Sequence, residues 1–445
     1  MATLTTTVSK TGKNSARDVT AGAFFWLSSF YVVYCARPED WVPGLQHVPL
    51  AKISAIFTIL GLASILGRTT RRLKDLPRES NYLLLLILLL FVGAPFSPTW
   101  RGGAILRTLD FSKVYVVWVL TFLLVTTIQR LRRLVFIQAG CVALVSAISV
   151  LKGSSSPRLE GVLNGIYSNP NDLAFAIVLS FPLILVLLLT SRSAVGKLAW
   201  SGAMLIMMYA LFRTASRAGF IDLLISGPIA LWFFAVKGRR PQLIVITALA
   251  GTLLMVFAGR HLQERFTAIS GSNIQNSLEQ KAYGSFEERK WIMQQALSGM
   301  ARYPLTGVGT GDFPSYSGHW KQVHMSYLQI GVEGGIPVLI LYLLFFRSGF
   351  RNLKKLKQLT ALDDEAALFR GAFYSSLVGF VVGACFAPEA YQFFPFFTVA
   401  YTSALLATVR EGKLAQADVA SGRRNSGFRG IYGNYGKLGP VTVVR

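Results

Sequence analysis

Residues 283–313 read Y-G-S-F-E-E-R-K-W-I-M-Q-Q-A-L-S-G-M-A-R-Y-P-L-T-G-V-G-T-G-D-F and continue as P-S-Y-S-G-H-W-K-Q-V-H-M-S-Y-L-Q-I-G-V-E-G-G-I-P, after which an apolar run extends to Phe346. This is the long polar insertion in a chain otherwise built of apolar runs, and it delivers His324 to the mouth of one of them. Ser285 with Glu288 three residues later predicts a capping-box helix start, and Tyr303-Pro304 predicts its end. Between them Ile292, Met293, Ala296, Leu297 and Met300 recur at helical spacing as one apolar face. Arg289 extends that face by a turn. A guanidinium on the buried side of an amphipathic helix is costly unless it meets an anion.

Working outward, the composition sets the class. Hydrophobic residues make up 52% of the chain and charged residues 15%, with a mean hydropathy of +0.47, which excludes an ordinary soluble domain. Apolar runs of spanning length recur throughout, so the expectation is an all-α, polytopic membrane protein. The net charge of +24 would suggest nucleic acid in a soluble protein; here its placement beside apolar runs points to lipid, and no nucleic-acid partner is expected. Cys35, Cys141 and Cys385 all lie in apolar runs without metal-ligand spacing, and are expected to be buried.

The expected spans are 21–36, 50–67, 81–96, 109–128, 134–151, 170–190, 198–212, 217–236, 242–258, 325–346, 367–387 and 393–408, about twelve in all. With the N-terminus inside, the clusters R-T-T-R-R-L-K, Q-R-L-R-R, S-R-S-A-V-G-K, K-G-R-R and R-N-L-K-K-L-K all face the cytoplasm, as the positive-inside rule requires. Residues 1–20 form a cytoplasmic segment, 21–409 the transmembrane domain, 260–323 its large outer loop between spans nine and ten, and 410–445 a disordered basic cytoplasmic tail.

Several polar groups then converge on the outer face. Arg217, in T-A-S-R-A-G-F, starts a span with Ser216 as its N-cap; free helix N–H groups beside a guanidinium make an anion site, although a snorkelling arginine has the same sequence signature. His324 opens the tenth span, where a helix N-terminal field disfavours imidazolium; a histidine that satisfies a helix end would occupy the same position. His319 competes with it, and His47 and His261 lie in other outer loops. Asn169 and Asp172, in Y-S-N-P-N-D-L-A, are good helix-start chemistry in themselves. Asp110 and Lys113 are spaced to pair. Glu333 precedes Gly334-Gly335 and Pro337; a carboxylate there must face protein or a wet cavity, and the glycines suggest a broken helix.

The ordered set N-P-N-D-L-A, S-R-A-G, E-R-K-W, P-L-T-G-V-G-T-G-D-F and H-M-S-Y-L-Q-I-G-V-E-G-G-I-P resembles the O-antigen ligase/polymerase family, in detail from Asn169 to Phe346. The resemblance implies a GT-C-like, metal- and cofactor-independent glycosyltransferase of the bacterial inner membrane, acting at the periplasmic face. It further implies a polyprenyl-diphosphate-linked glycan donor and a glycan, lipid A-core or protein hydroxyl as acceptor. Carried over position by position, Arg217 and Arg289 bind the diphosphate and His324 is the general base, with His319, Asn169, Asp172 and Glu333 secondary. Two departures stand out: Met325 replaces the asparagine that often follows the family histidine, and Val338 replaces the second glycine of G-I-P-G. A protein O-oligosaccharyltransferase and, in another class, a solute or bicarbonate transporter are the alternatives; a transporter should show internal repeats and mid-membrane ionisable groups, whereas these charges gather at the outer face.

The topology is directly testable. A Ser277→Cys variant in intact cells should react with an impermeant thiol reagent alongside periplasmic controls. Protection at that position would overturn the orientation.

Overall fold

In a hydrocarbon slab each apolar run must satisfy its own amides, and helix is the solution available to a single segment. The computed structural model describes residues 18–64, 69–152, 158–159, 167, 169–234, 277–359 and 364–420. Among these the principal elements are α1 (Ala21–Ala36), α2 (Pro38–Trp41), α3 (Leu50–Ser64), α4 (Arg78–Gly93), α5 (Arg101–Leu124), α6 (Ile128–Lys152) and α7 (Pro170–Thr190). They continue as α8 (Ala194–Thr214), α9 (Arg217–Phe234), α10 (Ser277–Arg302), α11 (Phe313–Ser317), α12 (Ser326–Leu359), α13 (Asp364–Gly383) and α14 (Phe393–Ala420). Among the described residues no strand occurs, and 7 helices are long and apolar enough to cross a membrane. Each expected span falls on a helix except 242–258, which lies outside the described residues, as do His261, the K-G-R-R cluster and residues 421–445.

Boundaries differ where local chemistry outweighs hydropathy. α5 begins at Arg101 and ends at Leu124, ahead of the expected span, and Thr108 in its second turn meets the Thr310 hydroxyl at 2.8 Å. α6 takes up the Q-R-L-R-R cluster as its first turns. α14 runs on to Ala420, since Glu411, Lys413, Leu414, Ala415 and Gln416 are good helix formers. The basic clusters are not merely solvated. Arg71, only 2% exposed, donates to the carbonyls of Phe122 (2.8 Å) and Val125 (2.7 Å) and to Glu411 (2.8 Å), tying the ends of α5 and α14 together. Arg130 likewise donates to Leu124 O and to Thr20 at 2.6 Å. The Lys113–Asp110 pair forms as expected, at 2.5 Å. Cys35 and Cys141 are buried, but Cys385 is exposed: α13 stops at Gly383 and the following turn carries the thiol outward.

Lipid offers helices no hydrophobic reason to associate, so close packing and interhelical hydrogen bonds must hold the bundle. One core joins α1 and α4–α8 to α12–α14. Its centre is aromatic: Tyr31 packs on Phe397 with ring centroids 4.3 Å apart, and Phe346 on Phe380 at the same separation. Buried hydroxyls cross between helices, Tyr31 to Thr121 (2.9 Å), Tyr401 to Gln138 (2.9 Å) and Tyr167 to Cys35 O (2.7 Å).

The end of the bundle that carries His324 depends on a break in α12. Gly335 has φ 82 and ψ 174 inside the helix. Pro337 has no N–H for the Glu333 carbonyl, and the Ile336 amide turns away to donate to Pro304 O at 2.7 Å. The loop after α10 takes up what is left. Val308 N donates to Val332 O (2.8 Å) and Gly309 N to Glu333 O (3.0 Å), while Gly311 N donates to the buried Glu333 Oε2 (2.8 Å). A Cβ on Gly335 would lie 2.6 Å from Leu305 O. The expected broken helix is present, and it is laced to P-L-T-G-V-G-T-G.

Gly335→Ala therefore combines a strained φ with a backbone clash and should destabilise the protein by about 1–3 kcal/mol. Gly202→Ala on α8, where nothing lies within 4 Å, should be neutral or slightly stabilising. Thermal unfolding of the purified proteins compares them; equal midpoints would show that the break carries no constraint.

Candidate functional site

The α10 helix rests on the N-terminal half of α12 through a small cluster of its own, made by Ile292, Ala296, Val308, Phe313, Val323, Leu328 and Val332. Contrary to the capping-box expectation, α10 starts at Ser277, and Ser285 lies within it. The preceding S-L-E-Q-K-A is itself strongly helix-forming, so propensity carries the helix past the weaker cap signal. The contact stripe is also narrower than expected. Ile292 (1%) and Ala296 (0%) are buried, but Met293 (41%) and Leu297 (50%) face outward. The stripe runs Arg289, Ile292, Ala296, Gly299 and Tyr303, and Gly299 permits the close approach: a Cβ there would meet Val332 at 2.9 Å and Tyr316 at 3.0 Å.

That stripe delivers Arg289 to the α12 start, on the buried side of α10. Its Nε is buried and makes no hydrogen bond among the described residues. Burial, and then the charge of Arg217, pull its pKa down from the ordinary arginine value. Arg217 arrives from a different direction, as the first residue of α9. The turn before it is shaped by Ala215 at φ 47, and Ser216 Oγ caps α9 by accepting from Gly219 N (3.2 Å) while donating to Asn171 Oδ1 (2.8 Å). Arg158 fixes the same turn from a third segment, donating to Thr214 O at 3.0 Å. Two guanidiniums from separate helices thus share one electrostatic neighbourhood.

His324 completes the group. It lies two residues before α12 begins, so burial and not a helix N-terminal field governs its state. Burial, then the positive charge of Arg289, lower its pKa from 6.5 to about 4. Glu288 opposes that shift but is itself engaged by Lys321 at 2.5 Å. The ring is neutral at pH 7, and its buried Nδ1 makes no hydrogen bond among the described residues. His319, the sequence competitor, is exposed and packs edge-on against Trp291 with centroids 4.4 Å apart. His47 is exposed on a separate cavity lined by α1, α3 and α5.

The remaining candidates fall into two places. Asn169 caps α7, its Oδ1 accepting from Asn171 N at 3.0 Å. Asp172, one turn into α7, faces the carboxyl of Glu389. Burial and then the Asp172 charge raise the Glu389 pKa well above the carboxylate range. Glu389 had no motif to mark it in A-P-E-A; an acid between two apolar runs was the available signal. It is tied to the α12 start, where Ser326 Oγ accepts from Glu389 N (2.9 Å) and donates to Ala387 O (2.7 Å). Glu333 is not part of the Arg217–Arg289–His324 group. It faces the Gly311 loop and holds α12 against it.

Two guanidiniums close enough to repel one another, beside a neutral imidazole, suit a group-transfer reaction with an anionic leaving group. Residues 202–343, which contain Arg217, Arg289 and His324, match the family model described as O-antigen ligase. No curated protein matches the chain.

The electrostatics can be checked without substrate. Replacing Arg289 by Ala removes a cation that disfavours imidazolium, so the His324 titration should move to higher pH. Histidine NMR of the labelled protein reads the shift; an unchanged or lower pKa would show that Arg289 does not face the ring.

Proposed function

We propose that this chain, a multi-pass membrane protein of the O-antigen ligase family, transfers a glycan from a polyprenyl diphosphate to an acceptor hydroxyl at the periplasmic face, with inversion and without a metal. The observation that carries this reading is the convergence of Arg217, Arg289 and His324 from three separate segments onto one neighbourhood. The acceptor oxygen attacks the anomeric carbon as the bond to the diphosphate oxygen breaks. The acceptor proton passes to the His324 imidazole, and the diphosphate departs with the bonding pair. Arg217 and Arg289 stabilise the charge that accumulates on it.

Placing like charges together costs stability in the empty protein, and a diphosphate reverses the sign of that interaction. The bound anion also opposes Arg289 at the imidazole, raising its basicity when the acceptor must lose its proton. The donor's own charge thereby prepares the base. Glu333 and the Gly311 loop act one layer back, keeping α10 and α12 in register so that Arg289 stays beside His324.

Reconstitution with a purified lipid-diphosphate glycan and candidate acceptors tests the reading. Arg217→Ala and Arg289→Ala should each lose about 2–5 kcal/mol of transition-state stabilisation, with Lys restoring only part. His324→Ala should lower the transfer rate about 10²–10⁴-fold while leaving donor binding largely intact, and His319→Ala should do much less. In the free enzyme kcat/KM should stay level through neutral pH and fall in acid with a midpoint near the His324 pKa of about 4, because only the neutral imidazole accepts a proton. Full transfer by both arginine variants, or loss in His319→Ala with retention in His324→Ala, would contradict these roles.

A further inference from the structure

At the far end of α12 from His324, roughly 40 Å away along the helix, the helix ends enclose a cavity of about 610 Å³. Its cations come from three elements: Arg78 from the first turn of α4, Arg351 and Lys355 from the last turns of α12, and Arg410 from α14. The charges of Arg351, Arg410 and Arg78 all repel Lys355, and Glu79 opposes them in part. None of the four makes an ion pair or a side-chain hydrogen bond among the described residues.

The acids in the wall are already engaged. Glu411 is held by Arg71 at 2.8 and 3.1 Å. Glu79 is buried, and its Oε1 accepts from Asn352 Nδ2 and Ser403 Oγ, both at 2.6 Å. Asp75 accepts from Arg72 N at 2.8 Å. Cations therefore outnumber acids in the wall, with Arg71, Arg78, Arg351, Lys355 and Arg410 against Asp75, Glu79 and Glu411, an excess that favours a bound anion. The remainder of the wall is apolar, with Phe122, Leu406, Ala407 and Leu414. Leu414 is 67% exposed, at the end of the bundle where apolar helix gives way to basic residues.

We propose that this cavity binds the phosphate headgroup of an anionic phospholipid, with its glycerol and first acyl carbons against Phe122, Leu406 and Leu414. An amphipathic ligand matches a lining that is cationic on one side and apolar on the other, and such pockets between helix ends suit anionic headgroups. Bound there, the lipid would join α4, α12 and α14 at the end opposite the transfer site. The proposal does not depend on the transfer reaction.

Thermal unfolding of the full-length protein in neutral detergent tests it, with phosphatidylglycerol, phosphatidylcholine or inorganic phosphate added. Phosphatidylglycerol should raise the midpoint and phosphatidylcholine should not. The combined variant Arg351→Gln, Lys355→Gln and Arg410→Gln should bind phosphatidylglycerol at least about tenfold more weakly, whereas Lys197→Gln, an exposed residue of α8, should bind normally. A second readout needs no variant: amine-reactive labelling of Lys355 in wild-type protein should fall severalfold in phosphatidylglycerol nanodiscs relative to phosphatidylcholine nanodiscs. Unchanged Lys355 labelling, or undiminished lipid stabilisation in the folded triple variant, would overturn the proposal. Full protection by inorganic phosphate alone would also overturn it, by assigning the cavity to a free anion.

Discussion

A proline without an amide and a glycine at positive φ leave the Val332 and Glu333 carbonyls without partners inside α12. In a membrane helix such groups cannot be left to water, and each one buried unpaired costs several kcal/mol. The Val308 and Gly309 amides answer that demand. The loop they belong to is the exit from α10, so satisfying α12 also fixes α10. The arrangement of this end follows: Gly299 against Val332, Ile292 and Ala296 in the small core, and Arg289 carried to the α12 start. A hydrogen-bond deficit in one helix thereby sets the position of a cation on another.

The same end of the molecule holds buried charges set against one another. Arg289 is buried beside a second arginine, His324 is neutral beside a cation, and Asp172 and Glu389 are pressed together. A packed interior tolerates such contacts only when the scaffold over-determines them. Here the restraints are explicit. Ser216, Asn171 and Arg158 hold the turn before Arg217, and Ser326 ties the α12 start to the loop carrying Glu389.

Much of this was legible from residue order alone. The spans could be read because lipid forces apolar runs into helix, and the arginine and histidine because polar groups at the ends of such runs are expensive. Boundaries were less accessible. A capping box at Ser285 competed with helix-forming residues before it and lost, and the apolar face of α10 overstated its contact because packing on one neighbour buries a narrower stripe than hydropathy marks. Cys385 follows an apolar run yet lies in a turn. Glu389 went unnoticed because nothing in A-P-E-A indicates Asp172, more than two hundred residues away in the chain. The basic clusters concealed structural roles: Arg71 and Arg130 are buried ties, and the cavity around Lys355 is assembled from three distant segments.

The account rests on Arg217 and Arg289 holding one diphosphate beside His324. The most direct test is an experimental structure of the protein with polyprenyl diphosphate, which carries the charge and lipid of the leaving group without the sugar. The account predicts the diphosphate between the two guanidiniums, with His324 on the side from which an acceptor would approach. Density for the diphosphate elsewhere, with Arg289 still turned inward and unengaged, would contradict it.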